Sequence, residues 1–352
     1  MFKVDALARQ IINNCDISDA QHAGLYSTCG LALRLRDLYK WEQALAPWEE
    51  HDAREVLAWI GEREDGWEHV EQETYAPLQI GSQVFDPFHT AKINARLAKE
   101  NLFYGAGYAY RLKPTFFLAE IKKQWTLHGH QVLLLGHELA RDLLTLPALT
   151  QDNCIIVRRE AARLFVWDQM TYIKPSGKPA FKWGLNQCGV TEMTRDALQQ
   201  AFTTILDLQE TTYIYHELGE IVDETFDRAL WREIIGAFPH SPTELLARAV
   251  KDLLADTGPH GPLVHIIEEQ NAAALAFYVA FSDGLVKELF PHMKSAFKAF
   301  SVTEQWHLVS QAVASGYADA QRHADLITRL FLEGKRKNDL AWTADEIERQ
   351  LL

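Results

Sequence analysis

Ser241-Pro242-Thr243-Glu244-Leu245-Leu246-Ala247-Arg248-Ala249-Val250-Lys251-Asp252-Leu253-Leu254 is the stretch that decides how this chain is read. Ser241 followed three residues later by Glu244 has capping-box spacing, in which side chains satisfy the free backbone N–H groups of a first helical turn. Pro242 stands at the first helical position, where its missing N–H costs nothing. Leu245, Leu246, Ala249, Val250, Leu253 and Leu254 then recur at intervals of three and four, which predicts a helix with one core-facing stripe.

The same start signal recurs at Ser18–Gln21, Ser301–Glu304 and Thr343–Glu346, and Asp86-Pro87 predicts one further helix start. Residues 20–41 carry Leu25, Cys29, Leu33 or Leu35, and Leu38 at helical spacing. Residues 194–237 read as one long helix, unbroken or broken. Residues 262–281 are apolar nearly all round after Glu269, which predicts a helix central in its domain. Strand signals are few. Ile121–Leu127 and His130–Leu135 around His128-Gly129 predict a hairpin, and Leu78–Phe85 around Gly81-Ser82 predicts a shorter one. The run Ile173-Lys174-Pro175-Ser176-Gly177-Lys178-Pro179 is rich in breakers and marks a boundary. The expected fold is mainly α. It has an N-terminal helical domain (1–174) with one or two small β-hairpins as an appendage, and an all-helical C-terminal domain (175–352). A cleft between two domains is the default place for a ligand.

A chain of 352 residues suffices for two domains, and 47% hydrophobic with 24% charged residues is the usage of a soluble globular protein. The net charge of −13 and pI near 5.5 disfavour general binding to nucleic acid. Cys15, Cys29, Cys154 and Cys188 form no C-x-x-C and are expected to be buried and reduced. The start Met1-Phe2-Lys3-Val4-Asp5 is not a secretory signal, and no apolar run is long enough to span a membrane, so the expected compartment is the cytoplasm.

Several stretches carry a resemblance: Cys15-Asp16-Ile17-Ser18-Asp19-Ala20, Leu35-Arg36-Asp37-Leu38-Tyr39-Lys40-Trp41-Glu42, Tyr104-Gly105-Ala106-Gly107-Tyr108, Leu112 through Glu120, and Glu138 through Leu143. Across much of the first half, and more weakly in the second, the chain resembles an uncharacterised family of bacterial two-part proteins known only as a domain of unknown function. The resemblance implies a bacterial cytoplasmic protein with separate N- and C-terminal regions. It implies no activity and no catalytic residues.

The sharpest chemical pattern is Tyr215-His216-Glu217-Leu218-Gly219-Glu220. On a helix, His216, Glu220, Asp223 and Asp227 fall on one face. His216 and Glu220, one turn apart, are placed to grip a divalent metal such as zinc, iron or manganese, and Glu217 takes the position of an acid/base. His265 and Glu269 repeat the one-turn spacing and are the expected further ligands from a facing helix. His240 and Glu244 are alternatives. From Asp196 to Asp227 there are eight acids and no Lys or Arg, which asks for a cation, a basic neighbour or plain solvent.

His137-Glu138-Leu139-Ala140-Arg141 reads as a helix-surface pair of Glu138 with Arg141. Arg34, Arg36, Arg111 and Lys113, with Gly105-Ala106-Gly107 nearby, form a candidate anion-binding set. Against it stands the plainer reading, in which the cations pair with neighbouring acids and the glycines make a turn between helix and hairpin. No nucleotide cofactor is indicated: Tyr110 stands where G-x-G-x-x-G needs its third glycine, and no G-K-[ST] occurs. Two functions follow. One is a metal-dependent hydrolase-like enzyme built on the His216 helix. The other is a non-catalytic intracellular binding or regulatory protein that presents an acidic helix face to a small molecule or protein partner. Neither involves nucleic acid or membrane, and a homo-oligomer fits both.

Overall fold

The computed structural model describes residues 3–352. They form two compact units, one ending at Asp168 and the other running from Gln169 to Leu352. The first unit begins with three helices, α1 (Val4–His22), α2 (Thr28–Glu42) and α3 (Ala53–Val70). A hairpin of β1 (Leu78–Ile80) and β2 (Gln83–Phe85) turns at Gly81, and α4 (Thr90–Leu97) follows. Five strands come next: β3 (Leu102–Tyr108), β4 (Pro114–Leu127), β5 (His130–Arg141), β6 (Ala148–Gln151) and β7 (Cys154–Arg158).

These five strands make one mixed sheet in the order β3-β4-β5-β7-β6, antiparallel throughout except for the parallel pair β5 and β7. The expectation of a small β appendage is therefore corrected, since the sheet carries the core of this unit. Phe116 and Leu118 pack with Leu7, Ile11 and Cys15 of α1, while Phe117 and Ala119 pack on the opposite face with Leu133, Leu135 and Ile156. Because both faces are covered, residues 114–119 are buried without interruption and lose the period-2 pattern that marks a half-exposed strand. Only the outer part of the β4–β5 hairpin, turning at His128 (φ 47°) and Gly129 (φ 84°), keeps a recognisable hairpin signature. Gly105 is not in a turn. It lies in β3 opposite Phe117, and a Cβ there would collide with the Phe117 ring.

The free side of β3 is tied up by side-chain amides. Asn94 of α4 accepts from the Tyr104 N–H (2.8 Å) and donates to the Tyr104 carbonyl (2.9 Å). Gln151, at the end of β6, accepts from the Ala106 N–H (3.0 Å) and donates to the same Tyr104 carbonyl (3.1 Å). One amide thus joins the last strand of the sheet order back to the first.

The unit boundary falls inside α5 (Arg159–Thr171). The second unit is helical, with no strand among its described residues: α6 (Lys178–Gln187), α7 (Arg195–Val222), α8 (Arg228–Ala237), α9 (Pro242–Thr257), α10 (Pro262–Glu268), α11 (Ala272–Phe281), α12 (Gly284–Leu289), α13 (Pro291–Thr303), α14 (Trp306–Lys337) and α15 (Leu340–Leu351). Helix α9 starts as its sequence predicts. The Ser241 hydroxyl accepts from the Glu244 N–H (3.1 Å), Glu244 reaches back to the His240 N–H (2.7 Å), and Leu246, Val250, Leu253 and Leu254 are fully buried.

Other expected starts differ. Ser18 lies inside α1, Ser301 near the end of α13, and Thr343 inside α15, whose cap is Asp339. The 194–237 helix stops at Val222, and Asp227 caps α8 with its carboxylate on the Ala229 and Leu230 N–H groups. The 262–281 helix breaks between α10 and α11, where Gln270 takes a left-handed conformation (φ 50°) and Asn271 caps α11. All four cysteines are free; Cys15 and Cys154 are buried, whereas Cys29 is exposed. No helix among the described residues is long and apolar enough to cross a membrane.

Candidate functional site

The site is built where α7 meets α9, and a missing side chain lets them meet. A Cβ on Gly219 would collide with the Ala255 carbonyl, so glycine allows the two backbones to approach. Gly219 lies between His216 and Glu220 on α7, and Ala255 lies between Asp252 and Asp256 on α9. The close approach brings both acid-bearing faces together. The donor atoms of His216, Glu220 and Asp252 all fall within 4.8 Å of one another, the one group of this kind among the described residues.

A second layer holds the histidine. The Asp256 carboxylate is 2.7 Å from His216 Nδ1, and its other oxygen accepts from the Tyr278 hydroxyl at 2.7 Å. A carboxylate on one ring nitrogen fixes the imidazole and leaves the other nitrogen for a further partner, as metal-binding histidines require. Burial pulls the His216 pKa down, but Asp256, by charge and hydrogen bond, and then Glu220 raise it well above its ordinary value. Glu220 meets the Lys251 ammonium at 2.8 Å. Burial opposes its ionisation, yet Lys251 and His216 hold it below the usual carboxylate range. Burial pushes Asp252 up to about 6 against the pull of His216. Glu220, which has no Lys or Arg on α7 beyond the helix's first residue Arg195, thus finds its cation on α9.

The remaining expected residues lie elsewhere. His265 does not face His216; its ring stacks on Tyr215, centroids 3.7 Å apart and 11° from parallel. Neither His265 nor Glu269 joins the ligand group, whose third member is Asp252. Glu217 is buried, at 8% exposure, about 100° around the helix from His216. Glu244 is held by Arg248 at 2.9 Å, and Asp223 and Asp227 lie past the end of α7. Asp252 and Asp256 lie one turn apart on α9 and repeat the His216–Glu220 spacing, but nothing along α9 marks that face as the one that meets α7.

Comparison with known proteins bears on both units. The N-terminal-domain model of a family of unknown function (DUF6866) matches residues 6–158, and the C-terminal-domain model of the same family matches residues 163–350. The chain belongs to this family. No curated protein and no solved structure matches it.

In the first unit three cations of the expected anion site, Arg34, Arg36 and Lys113, have carboxylate partners within the chain. Lys113 is fully buried, with its ammonium 2.9 Å from Asp19, 3.0 Å from Asp142 and 3.0 Å from the Ser18 hydroxyl. Arg34 meets Asp37 (3.1 Å) and Asp168 (3.0 Å), and Arg36 meets the same two carboxylates. Arg111 sits in a left-handed conformation (φ 52°) between β3 and β4. Glu138 and Arg141 are on a buried strand, not on a helix surface. Glu138 is gripped by both ends of the Arg158 guanidinium (2.7 and 3.1 Å), which also lies over the Phe117 ring at 4.2 Å. A buried charge survives only when paired, and the interior of this unit pairs its charges internally. Burial raises Asp19 to about 7, with Asp142 adding to the rise and Lys113 opposing it.

Proposed function

We propose that the second unit binds one divalent metal ion, such as zinc, iron or manganese, through His216, Glu220 and Asp252 and serves as a hydrolase-like centre. The observation that carries this reading is the convergence of three donor atoms from two helices within 4.8 Å, behind which Asp256 and Tyr278 hold the imidazole. Three protein ligands with further positions left for other groups is the pattern of catalytic rather than structural sites. Bound there, an ion would supply Lewis-acid activation of water. The chain's own part is to orient His216 through Asp256 and to balance the carboxylates with Lys251. Glu217, the residue after His216 on α7, keeps in this reading the acid/base place that the Glu of an H-E-x-x-H helix has. The four free cysteines agree with a reducing compartment, and the reading sets the protein in a bacterial cytoplasm.

The Lys251–Glu220 pair favours a second reading, a non-catalytic binding or regulatory protein. In that case the acidic face already has its cation, and the network is an internal brace. Elemental analysis by mass spectrometry separates the two, using protein purified without chelator or affinity tag. Near-stoichiometric metal that is lost in His216→Ala and in Asp252→Asn supports the metal centre. Absence of metal after soaking with each ion and washing rejects it and leaves the brace.

A further inference from the structure

The break between α10 and α11 opens a cleft of about 790 Å³ within the second unit, between the break, α7 and the end of α6. This lies in the usual size range of small-molecule sites. His216, Glu220 and Asp252 do not line it. Its chemistry is one-sided. Glu269 is its one charged wall residue apart from the titratable His265, and Glu268 stands next to it. Residues 252–286 contain no Lys or Arg, nor do residues 196–227, so two of the three segments that wall the cleft lack cations, and α6 lines it with Gln187 and not with its lysines. Unlike Glu220, neither Glu268 nor Glu269 has an ion-pair partner among the described residues.

The neutral groups around Glu269 have free hydrogen-bonding capacity of known sense. The Thr211 and Thr212 hydroxyls spend their protons on the carbonyls of Asp207 (3.1 Å) and Leu208 (3.0 Å), and so offer lone pairs to the cleft. Asn271 spends its carbonyl oxygen on the Ala274 N–H (3.0 Å), which leaves its NH₂ as a donor. His265 is fixed by its stack on Tyr215.

We propose that this cleft is a binding site for a small primary amine that carries hydroxyl or amide groups, its ammonium on Glu269 and its neutral groups on Thr211, Thr212 and Asn271. An anionic ligand would meet an uncompensated carboxylate and no cation, and a purely apolar one would strand the amide and hydroxyl groups. Burial lowers the His265 pKa while Glu269 and Glu268 raise it, and the net shift is downward. The ring therefore stays neutral near pH 7 and does not compete with an ammonium for Glu269. The assignment does not rest on the metal centre.

Isothermal titration calorimetry in EDTA tests it, so that metal binding plays no part. The probes are glucosamine and ethanolamine, both hydroxyl-bearing primary amines, with glucose as the neutral analogue and glucose 6-phosphate as the anionic one. The expected result is saturable binding of at least one amine, no binding of the phosphate, and at least tenfold weaker amine binding in Glu269→Gln. Ala273→Arg, which sets a guanidinium in the cleft, is expected to abolish amine binding with the helical circular dichroism unchanged. The proposal is overturned if neither amine binds at millimolar concentration, if glucose binds as tightly as glucosamine, if glucose 6-phosphate binds better than either amine, or if Glu269→Gln binds like the wild type.

Discussion

Gly219 of α7 stands against the Ala255 carbonyl of α9 with no room for a methyl group between them. The colliding atom would be backbone, which cannot swing aside as a side chain can. Gly219→Ala must therefore part the helices, at a cost in the range of about 1–3 kcal/mol for overpacking. Urea unfolding checks the stability. An NMR titration checks the local effect, because a wider helix pair takes Asp256 away from His216 and lowers the imidazole pKa. A variant as stable as the wild type, with His216 unmoved, would show that the two backbones are free to shift.

Asp256 is the leading group that keeps His216 charged. In Asp256→Asn the imidazole loses its carboxylate, so His216 is expected to titrate at lower pH than in the wild type; the resonance is assigned by its loss in His216→Ala. If a metal is held at this place, the same substitution should weaken its binding by about 10- to 100-fold, the usual cost of losing an orienting carboxylate. Tyr278→Phe should shift both readouts less, since Asp256 keeps its bond to the ring.

Arg158 is buried and gives Glu138 two hydrogen bonds. Arg158→Met leaves that carboxylate with Arg141 Nη1 at 3.5 Å as its nearest cation, a loss of about 3–5 kcal/mol by denaturant unfolding. The double variant E138L/R158M, which removes both charges, should recover most of that loss. If the double variant is no better than the single one, the pair contributes by shape and not by charge.

Asp19 gives stability a slope with pH. Its pKa in the folded chain is about 7, against about 3.9 for an unfolded aspartate. A group whose pKa is raised on folding contributes its stability below the unfolded value and loses it as pH climbs through the folded one. Stability due to Asp19 is therefore expected to fall between about pH 4 and pH 7. Asp142 beside it is shifted the other way, mainly because Lys113 overcomes the effect of burial, so its contribution is lost only as pH falls below the ordinary carboxylate range. Asp19→Asn should flatten the fall between pH 4 and 7 in unfolding curves taken at half-unit steps.

How much of this could be read from the chain depended on whether a segment keeps one side in water. Helix α9 was legible because Ser241 and Pro242 mark its start and its apolar stripe alternates with Arg248 and Lys251. The sheet was not legible, because Phe116-Phe117-Leu118-Ala119 is apolar on both faces and the pairing of β5 with β7 joins segments that no local pattern connects. Helix breaks were invisible for a related reason: the capping groups Asp227 and Asn271 sit inside runs whose periodicity carries on beyond them. In the candidate site, His216 and Glu220 stood out by spacing along one helix. Asp252 did not, because its nearness to them is a property of two helices and of one glycine between them.

The amides of Asn94 and Gln151 on β3 bear on how these molecules behave when crowded. A bare strand edge is a template on which an extended segment of another molecule can start a ladder, the first step towards an aggregate. Here the outward N–H groups of Tyr104 and Ala106 are already bonded, and the strand at the far side of the order, β6, is only four residues long. A neighbour arriving in extended form finds too few unpaired groups to seed a second layer of pairing. Two amide side chains, Asn94 and Gln151, thereby leave the β3 edge less backbone on which a strand of another molecule could pair.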